Sequence, residues 1–416
     1  MRKYAKKLHL WLALPFGVIL TLVCFSGAVL AFEKDFTQWA YDGLYQVETV
    51  GKDRLPAGDI AAKVASSLPD DVRVTGITIY SDPARTYQVN LSKPHHASVF
   101  VDPYTGEVKG SYRRIPFFLT MFKLHRWLLG SRPADGGVFW GRVVVGTSAL
   151  AFVFVILSGI VMWLPRSKKA LVNSLKVNRS HGLRRFCHSF HVAVGVYTCL
   201  LLLCMALTGL TWSFDWYRSG FYAVFGAGGQ QGGHGHSPSE ERHRGHHRNN
   251  GTETYAVWQT VYRELAARNP EYRQITVNAD NTATVLFRRF GNTMGGDRYE
   301  FEPSAGRLTS FTPYADLPSS AKIRGQIYSL HTGTWGGWLT RILYCLAALL
   351  ASALPVTGYY LWFRAFSPRR ENLKLKHAPL IGTSCKKAPS RCLFAFMVVP
   401  QNEEWLYFPM FIAVQT

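Results

Sequence analysis

The chain is 416 residues long, 48% hydrophobic, with a formal net charge of +21. That charge invites a nucleic-acid partner, yet it is concentrated in three short stretches: four Lys/Arg and no acid in 1–10, seven and none in 165–188, and five against Glu371 in 364–377. The long segments between are nearly balanced, eleven basic to eleven acidic residues in 33–124 and thirteen to eleven in 215–330, so the basicity reads as a membrane-topology signal and argues against nucleic acid.

In chain order, the basic start MRKYAKK leads into an apolar run near 10–32, too long for a cleaved signal and without a small-x-small site before EKDF. Further runs near 140–164, 190–214 and 338–363 also hold roughly 20 apolar residues, enough at about 1.5 Å per residue to cross about 30 Å of hydrocarbon. Four transmembrane helices are therefore expected, in contact with membrane lipid. The positive-inside rule puts both termini and the 165–188 loop in the cytoplasm and the two long loops outside.

Those loops resemble each other. The first, 33–124, has a helical stretch at 59–69 before the alternating runs VRVTGITIY, TYQVNLS and SVFVDPYTGEV; the second, 215–330, has one at 254–270 before ITVNAD, TATVLFRRF and RYEFEPSAGRL. Period-two alternation between Asp/Gly/Pro turns predicts two small antiparallel sheets, each backed by one helix. The matching turns Asp102-Pro103-Tyr104-Thr105-Gly106 and Glu302-Pro303-Ser304-Ala305-Gly306 support a duplication. The layout expected is 1–32 (N-terminus and first span), 33–124 (first module), 125–164 (edge helix and second span), 165–188 (basic loop), 189–214 (third span), 215–330 (second module), 331–363 (fourth span) and 364–416 (cytoplasmic tail).

Inside the second loop, residues 227–251 are Gly-, His- and charge-rich and read as a disordered, solvated linker, with His234, His236, His243, His246 and His247 as loose metal-binding candidates. Of seven cysteines, Cys24, Cys187, Cys199, Cys204 and Cys345 lie in or beside spans and Cys385 and Cys392 in the tail, so no structural disulfide is expected.

Each span contains a small-residue step, Ser26-Gly27, Ser158-Gly159, Thr208-Gly209 and Thr357-Gly358, with one histidine upstream: His9, His125, His191 and His331. Charge sorting puts His9 and His191 at the inner membrane face and His125 and His331 at the outer. A single interfacial histidine is unremarkable, but four at equivalent points of a repeat, two per face, suit bis-histidine ligation of haem iron. His188, three residues before His191, is an alternative inner ligand; His95, His96 and His181 read as solvated loop residues. Gly17, Gly27 and Gly195 would admit close approach, and Trp11, Trp127, Trp335 and Trp338 would wall the ring. Propionate partners are available in Lys6, Lys7, Arg184 and Arg185 inside and Arg126, Arg142 and Arg341 outside. The chain carries no Rossmann, Walker, zincin or nucleophile-elbow motif, so any electron must arrive from a cytoplasmic or membrane donor.

The segments LHLWLALPFG with CFSGAVLAFEKDF, LHRWLLG with GRVVVGTSALAFVFVILSGIVMWLPR, FHVAVGVY with ALTGLTW, and LHTGTWGGW with PVTGYYLWF resemble the PepSY-associated transmembrane proteins over about residues 1–376. The resemblance implies four spans, two outer α+β PepSY-like modules, and b-type haem on His9, His125, His191 and His331. Ser189-Phe190-His191 stands where that family often has Asp-Leu-His, and 377–416 matches nothing in it. Some members are described as iron-regulated membrane proteins or ferric-siderophore reductases. The expectation is thus a bacterial inner-membrane oxidoreductase that passes electrons outward to a periplasmic ferric siderophore or other ferric chelate. The rival is a non-enzymatic membrane protein whose modules bind or regulate a protease or sensor. A proton-coupled transporter is disfavoured, because no span carries Asp, Glu or Lys at its centre.

Overall fold

The computed structural model describes residues 1–94, 97–112, 114–133, 135–180, 182–227, 253–366, 399–401 and 404–406. His95, His96, His181, the five linker histidines and most of the tail 377–416 lie outside them. From the N-terminus the chain forms α1 (Arg2–Leu30), α2 (Glu33–Ala40), α3 (Asp42–Tyr45) and α4 (Ala57–Ser66), then strands β1 (Val74–Tyr80), β2 (Tyr87–Leu91), β3 (Ser98–Val101) and β4 (Val108–Ser111). After these come α5 (Pro116–Trp127), α6 (Trp140–Trp163), α7 (Lys168–Ser174), α8 (Gly182–Ser213) and α9 (Asp215–Val224). The second half continues with α10 (Glu253–Ala256), α11 (Trp258–Arg268), β5 (Gln274–Asn278), β6 (Thr282–Leu286), β7 (Gly296–Phe301), β8 (Leu308–Thr312), α12 (Ser319–Thr332) and α13 (Trp338–Phe366). In the separate unit 368–416, β9 (Val399–Gln401) and β10 (Glu404–Leu406) pair antiparallel.

Helices α1, α6, α8 and α13 are each long and apolar enough to cross a membrane. Their apolar residues run all round the helix, which is the pattern of a lipid-facing span. Helices α1 and α8 each pack against both α6 and α13, closing a ring of four, while α5 packs on α1 and α6 and α12 on α8. The helices overrun the apolar runs. Helix α1 starts at Arg2 and α8 at Gly182, so His9, His188 and His191 all sit on continuous helix. His331, in contrast, belongs to α12, which stops at Gly333 (φ 72°) before α13 begins at Trp338.

The two modules do not form two sheets. Their strands make one eight-stranded antiparallel sheet, β4-β3-β2-β1-β5-β6-β7-β8, joined where β1 pairs with β5 from Gly76↔Asn278 to Tyr80↔Gln274. The local alternation of the first strand in each repeat was legible, but each would have been an open edge in a separate sheet, and pairing them removes two rows of unsatisfied backbone groups. One face of the sheet carries Ile77, Ile79, Val89, Ile275, Val277 and Val285 under α4 and α11, and the core is continuous across the join. Gly58 of α4 sits so close to α10 that a β-carbon there would fall 2.2 Å from the Tyr255 carbonyl oxygen. The two matched turns close as expected: Gly106 (φ 68°) donates to the Asp102 carbonyl and Gly306 (φ 69°) to that of Glu302, at 2.9 and 2.8 Å.

The opposite face of the sheet is polar. Gln88 donates to Asn90 (3.1 Å) and Ser98 (3.0 Å), Asn90 donates to Thr78 (3.3 Å), and Thr78 meets Thr276 across the join at 2.9 Å. This face turns towards the helical bundle and roofs the cavity described next.

Candidate functional site

The four Ser/Thr-Gly steps and the four histidines fit each other, with every histidine docked on a step belonging to a different helix. His9 of α1 lies against Gly159 of α6, and His191 of α8 against Gly358 of α13. His125 of α5 lies against Gly27 of α1, and His331 of α12 against Gly209 of α8. The second half therefore repeats the first. Proximity favours glycine most strongly on the sheet side, where a β-carbon would sit 2.9 Å from the His125 ring at Gly27 and 3.0 Å from the His331 ring at Gly209; at Gly159 and Gly358 it would be at an ordinary contact distance of 3.5 Å.

Docking also satisfies one ring nitrogen of each histidine. His9 Nδ1 donates to the Val155 carbonyl (3.0 Å), His125 Nδ1 to that of Val23 (2.9 Å) and His331 Nδ1 to that of Met205 (3.0 Å). In each case the acceptor is the residue four before the glycine. His191 Nδ1 donates to the Thr357 hydroxyl (3.0 Å), which itself donates to the Leu354 carbonyl (2.9 Å), again four before the glycine. A carbonyl can only accept, so the proton is on Nδ1 and the lone pair is left on Nε2, the form in which imidazole binds a metal.

The docked rings meet in pairs. His9 and His191 have ring centres 6.4 Å apart, and His125 and His331 have theirs 6.1 Å apart. His188 is exposed one turn before His191, and it is His191 that faces His9. The two levels are held by the spans themselves. His9 and Gly27 are eighteen residues apart in α1, as are His191 and Gly209 in α8. That separation is five turns, so both groups lie on the same helix face, roughly 27 Å apart along the axis.

The His125–His331 pair opens into a cavity of about 750 Å³ that reaches from Gly27, Phe152 and Gly209 in the bundle to Tyr80, Gln88 and Ser98 on the polar face of the sheet. Trp212 packs edge-on against His331, with ring centres 5.0 Å apart. The sequence pattern does not single out Trp212, although it follows Thr208-Gly209 by three residues. Of the four tryptophans expected to wall the ring, Trp127 packs against Phe122 and Phe139, Trp335 against Phe290 and Trp338 against Phe32, while Trp11 is largely exposed. Gly17 receives Tyr359 of α13, making it a helix-packing residue, and Gly195 has open space beside it.

The candidate cations divide in the same way. Lys6, Lys7, Arg184 and Arg185 are exposed at the His9–His191 end. At the sheet end Arg142 donates to the Ser213 carbonyl (2.9 Å) and pairs with Asp215, and Arg341 binds Asp35 and the Ala31 carbonyl. Arg341 Nε is buried without an acceptor among the described residues. Arg126 lies over Trp212 and has no carboxylate partner among them.

Among the described residues no group of three or more His, Cys, Asp or Glu could chelate a metal. Each histidine pair offers two imidazole nitrogens, fewer donors than a metal ion bound by protein side chains alone usually has.

A family model for the PepSY-associated transmembrane region matches residues 6–365, spanning every element that builds these sites. The chain belongs to that family. It is a multi-pass membrane protein with four spanning helices. No curated protein matches it.

Proposed function

We propose that this protein carries two b-type haems and passes electrons across the membrane to a ferric chelate, with a ferric siderophore as the expected substrate. The observation that carries the reading is the spacing of the two histidine pairs. Two imidazoles sharing one iron, each through a metal–nitrogen bond of about 2 Å, would have ring centres roughly 6 Å apart. The pairs here measure 6.4 and 6.1 Å.

The other residues fit the same group. The fixed Nδ1 protons leave two neutral Nε2 donors per pair, the glycine steps and Phe152 give an apolar floor on the sheet side, and Arg126 and the orphaned Arg341 Nε–H suit carboxylates at the cavity wall. Haem bound at each pair supplies a reversible Fe(III)/Fe(II) couple that takes up one electron at a time. The chain's own contribution would be to hold the imidazole donors, exclude water and set the two levels roughly 27 Å apart, close to the thickness of the hydrocarbon core. With the basic ends and loop on the cytoplasmic side, His9 and His191 form the inner station, and His125 and His331 the periplasmic one. An electron from a cytoplasmic or membrane donor then converts Fe(III) in the chelate to Fe(II), which oxygen donors hold less tightly.

Absorption spectroscopy of the detergent-purified protein tests this. A sharp Soret band, with α and β bands on dithionite reduction and reoxidation by ferric chelates, is the expected result. A colourless preparation would leave the sheet as a binding module and end the haem reading.

A further inference from the structure

We infer that the upper part of the sheet-side cavity is a binding site for anionic metal chelates, with Lys34 as its recognition cation. The inference rests on the reductase reading for its physiological meaning, but the site itself is argued from charge and geometry. Lys34, on the second residue of α2, lines the cavity with its side chain open to the interior space. It has no hydrogen-bond or ion-pair partner among the described residues.

The neighbouring carboxylates are already engaged. Glu33 is held by Arg114, with both contacts at 2.5 Å, and Asp35 is held by Arg341. Arg85 lies over the Tyr45 and Tyr80 rings, at 5.4 and 5.0 Å, and these two rings line the cavity. Desolvation, reinforced by Arg273 and Arg85 and opposed by Asp35, holds the Lys34 ammonium below the ordinary lysine pKa. Each of the two carboxylates has an arginine partner, which leaves Lys34 as a lining cation with Arg85 and Arg273 nearby.

The other polar groups suit the same ligand. Burial pushes the Tyr45 hydroxyl up to about 12 and raises that of Tyr112 above its ordinary value, so both keep their protons and can donate to chelate oxygens. Tyr80 and Phe100 supply flat apolar surface beside them. A cationic recess with phenol donors and aromatic walls selects an anion of moderate size carrying several oxygen atoms. A chelate in this recess sits in the same cavity as His125 and His331, so outer-sphere transfer of one electron needs no bond to iron from the protein.

Calorimetric titration of the full-length protein with gallium(III)–EDTA, an anionic and redox-silent chelate, tests the site without any reaction. Saturable binding is expected, weakened roughly tenfold in Lys34→Gln, restored in Lys34→Arg and suppressed by salt; hexaamminecobalt(III), a cation, should not bind. Equal binding to wild type and Lys34→Gln, or no binding to wild type, overturns the inference. Loss of haem absorbance in Lys34→Gln also overturns it, because the ammonium would then be serving a haem propionate. The spectrum of the same samples judges the haem reading separately: a red protein that ignores the gallium chelate sinks only the chelate site, and a colourless one that binds it sinks only the reductase reading.

Discussion

The two histidine pairs share one docking scheme but differ in access and tolerance. Around His9 and His191 the glycine steps leave 3.5 Å for an added β-carbon, and the nearby cations are exposed at the end of the bundle. Around His125 and His331 the same clearance falls to 2.9 and 3.0 Å, and the rings open into the large cavity under the sheet. The docking scheme occurs twice, and its surroundings differ. One pair is seated more tightly and faces the cavity of about 750 Å³ under the sheet, the difference expected if the proposed outer station meets an acceptor there.

Removing a ligand is the strongest way to break that comparison. His125→Ala or His331→Ala is expected to remove about half of the bound haem and to abolish reoxidation by ferric chelates, with the remaining half still reducible by dithionite. His9→Ala or His191→Ala should remove the other half and leave direct reoxidation of the sheet-side haem intact. Pyridine haemochrome quantification with stopped-flow reoxidation measures both. Loss of all haem from any one variant would contradict two independent sites.

The glycine steps sharpen the difference between the pairs. Gly27→Ala and Gly209→Ala place a methyl group inside contact distance of a histidine ring, whereas Gly159→Ala and Gly358→Ala place it at ordinary van der Waals distance. The first two should reduce haem occupancy at the sheet-side pair by roughly tenfold or more, as losses of ligand-orienting contacts generally do. The second two should leave occupancy near that of wild type. Equal effects in all four would mean that the clearances do not control seating.

Most of this site could be read from sequence as parts, but not as contacts. The repeat of a histidine with a Ser/Thr-Gly step was evident, and so was the sorting of histidines between two levels by loop charge. What the linear pattern conceals is that each step receives a histidine from another helix: His9 finds Gly159, and its own helix offers Gly27 to His125. A signal for this was present in the eighteen-residue spacing of His9 to Gly27 and His191 to Gly209, because five whole turns put both groups on one face. In the sheet, period two located the strands, and the joining of β1 to β5 escaped because edge pairing is a long-range choice that alternation does not encode. Lys34 escaped for a similar reason, since nothing in EKDF says that its two acids are taken by distant arginines.

The smallest expected effect separates the hydroxyls from the glycines beside them. In the His9–His191 pair, the Thr357 hydroxyl itself accepts from His191 Nδ1, so Thr357→Val removes an acceptor and leaves the Leu354 carbonyl to replace it. In the His125–His331 pair, Ser26 donates back to the Leu22 and Val23 carbonyls, while His125 Nδ1 donates directly to Val23. Ser26→Ala therefore leaves the histidine's own bond in place. Thr357→Val should lower haem affinity at its pair by about tenfold, the low end for loss of a ligand-orienting bond, and Ser26→Ala should change it less than threefold. Competition of each variant with apomyoglobin for haem reads the ratio. A larger loss from Ser26→Ala would mean that the serine positions the carbonyl rather than merely sharing it, and the order of the two effects therefore tells which group of each step holds the imidazole.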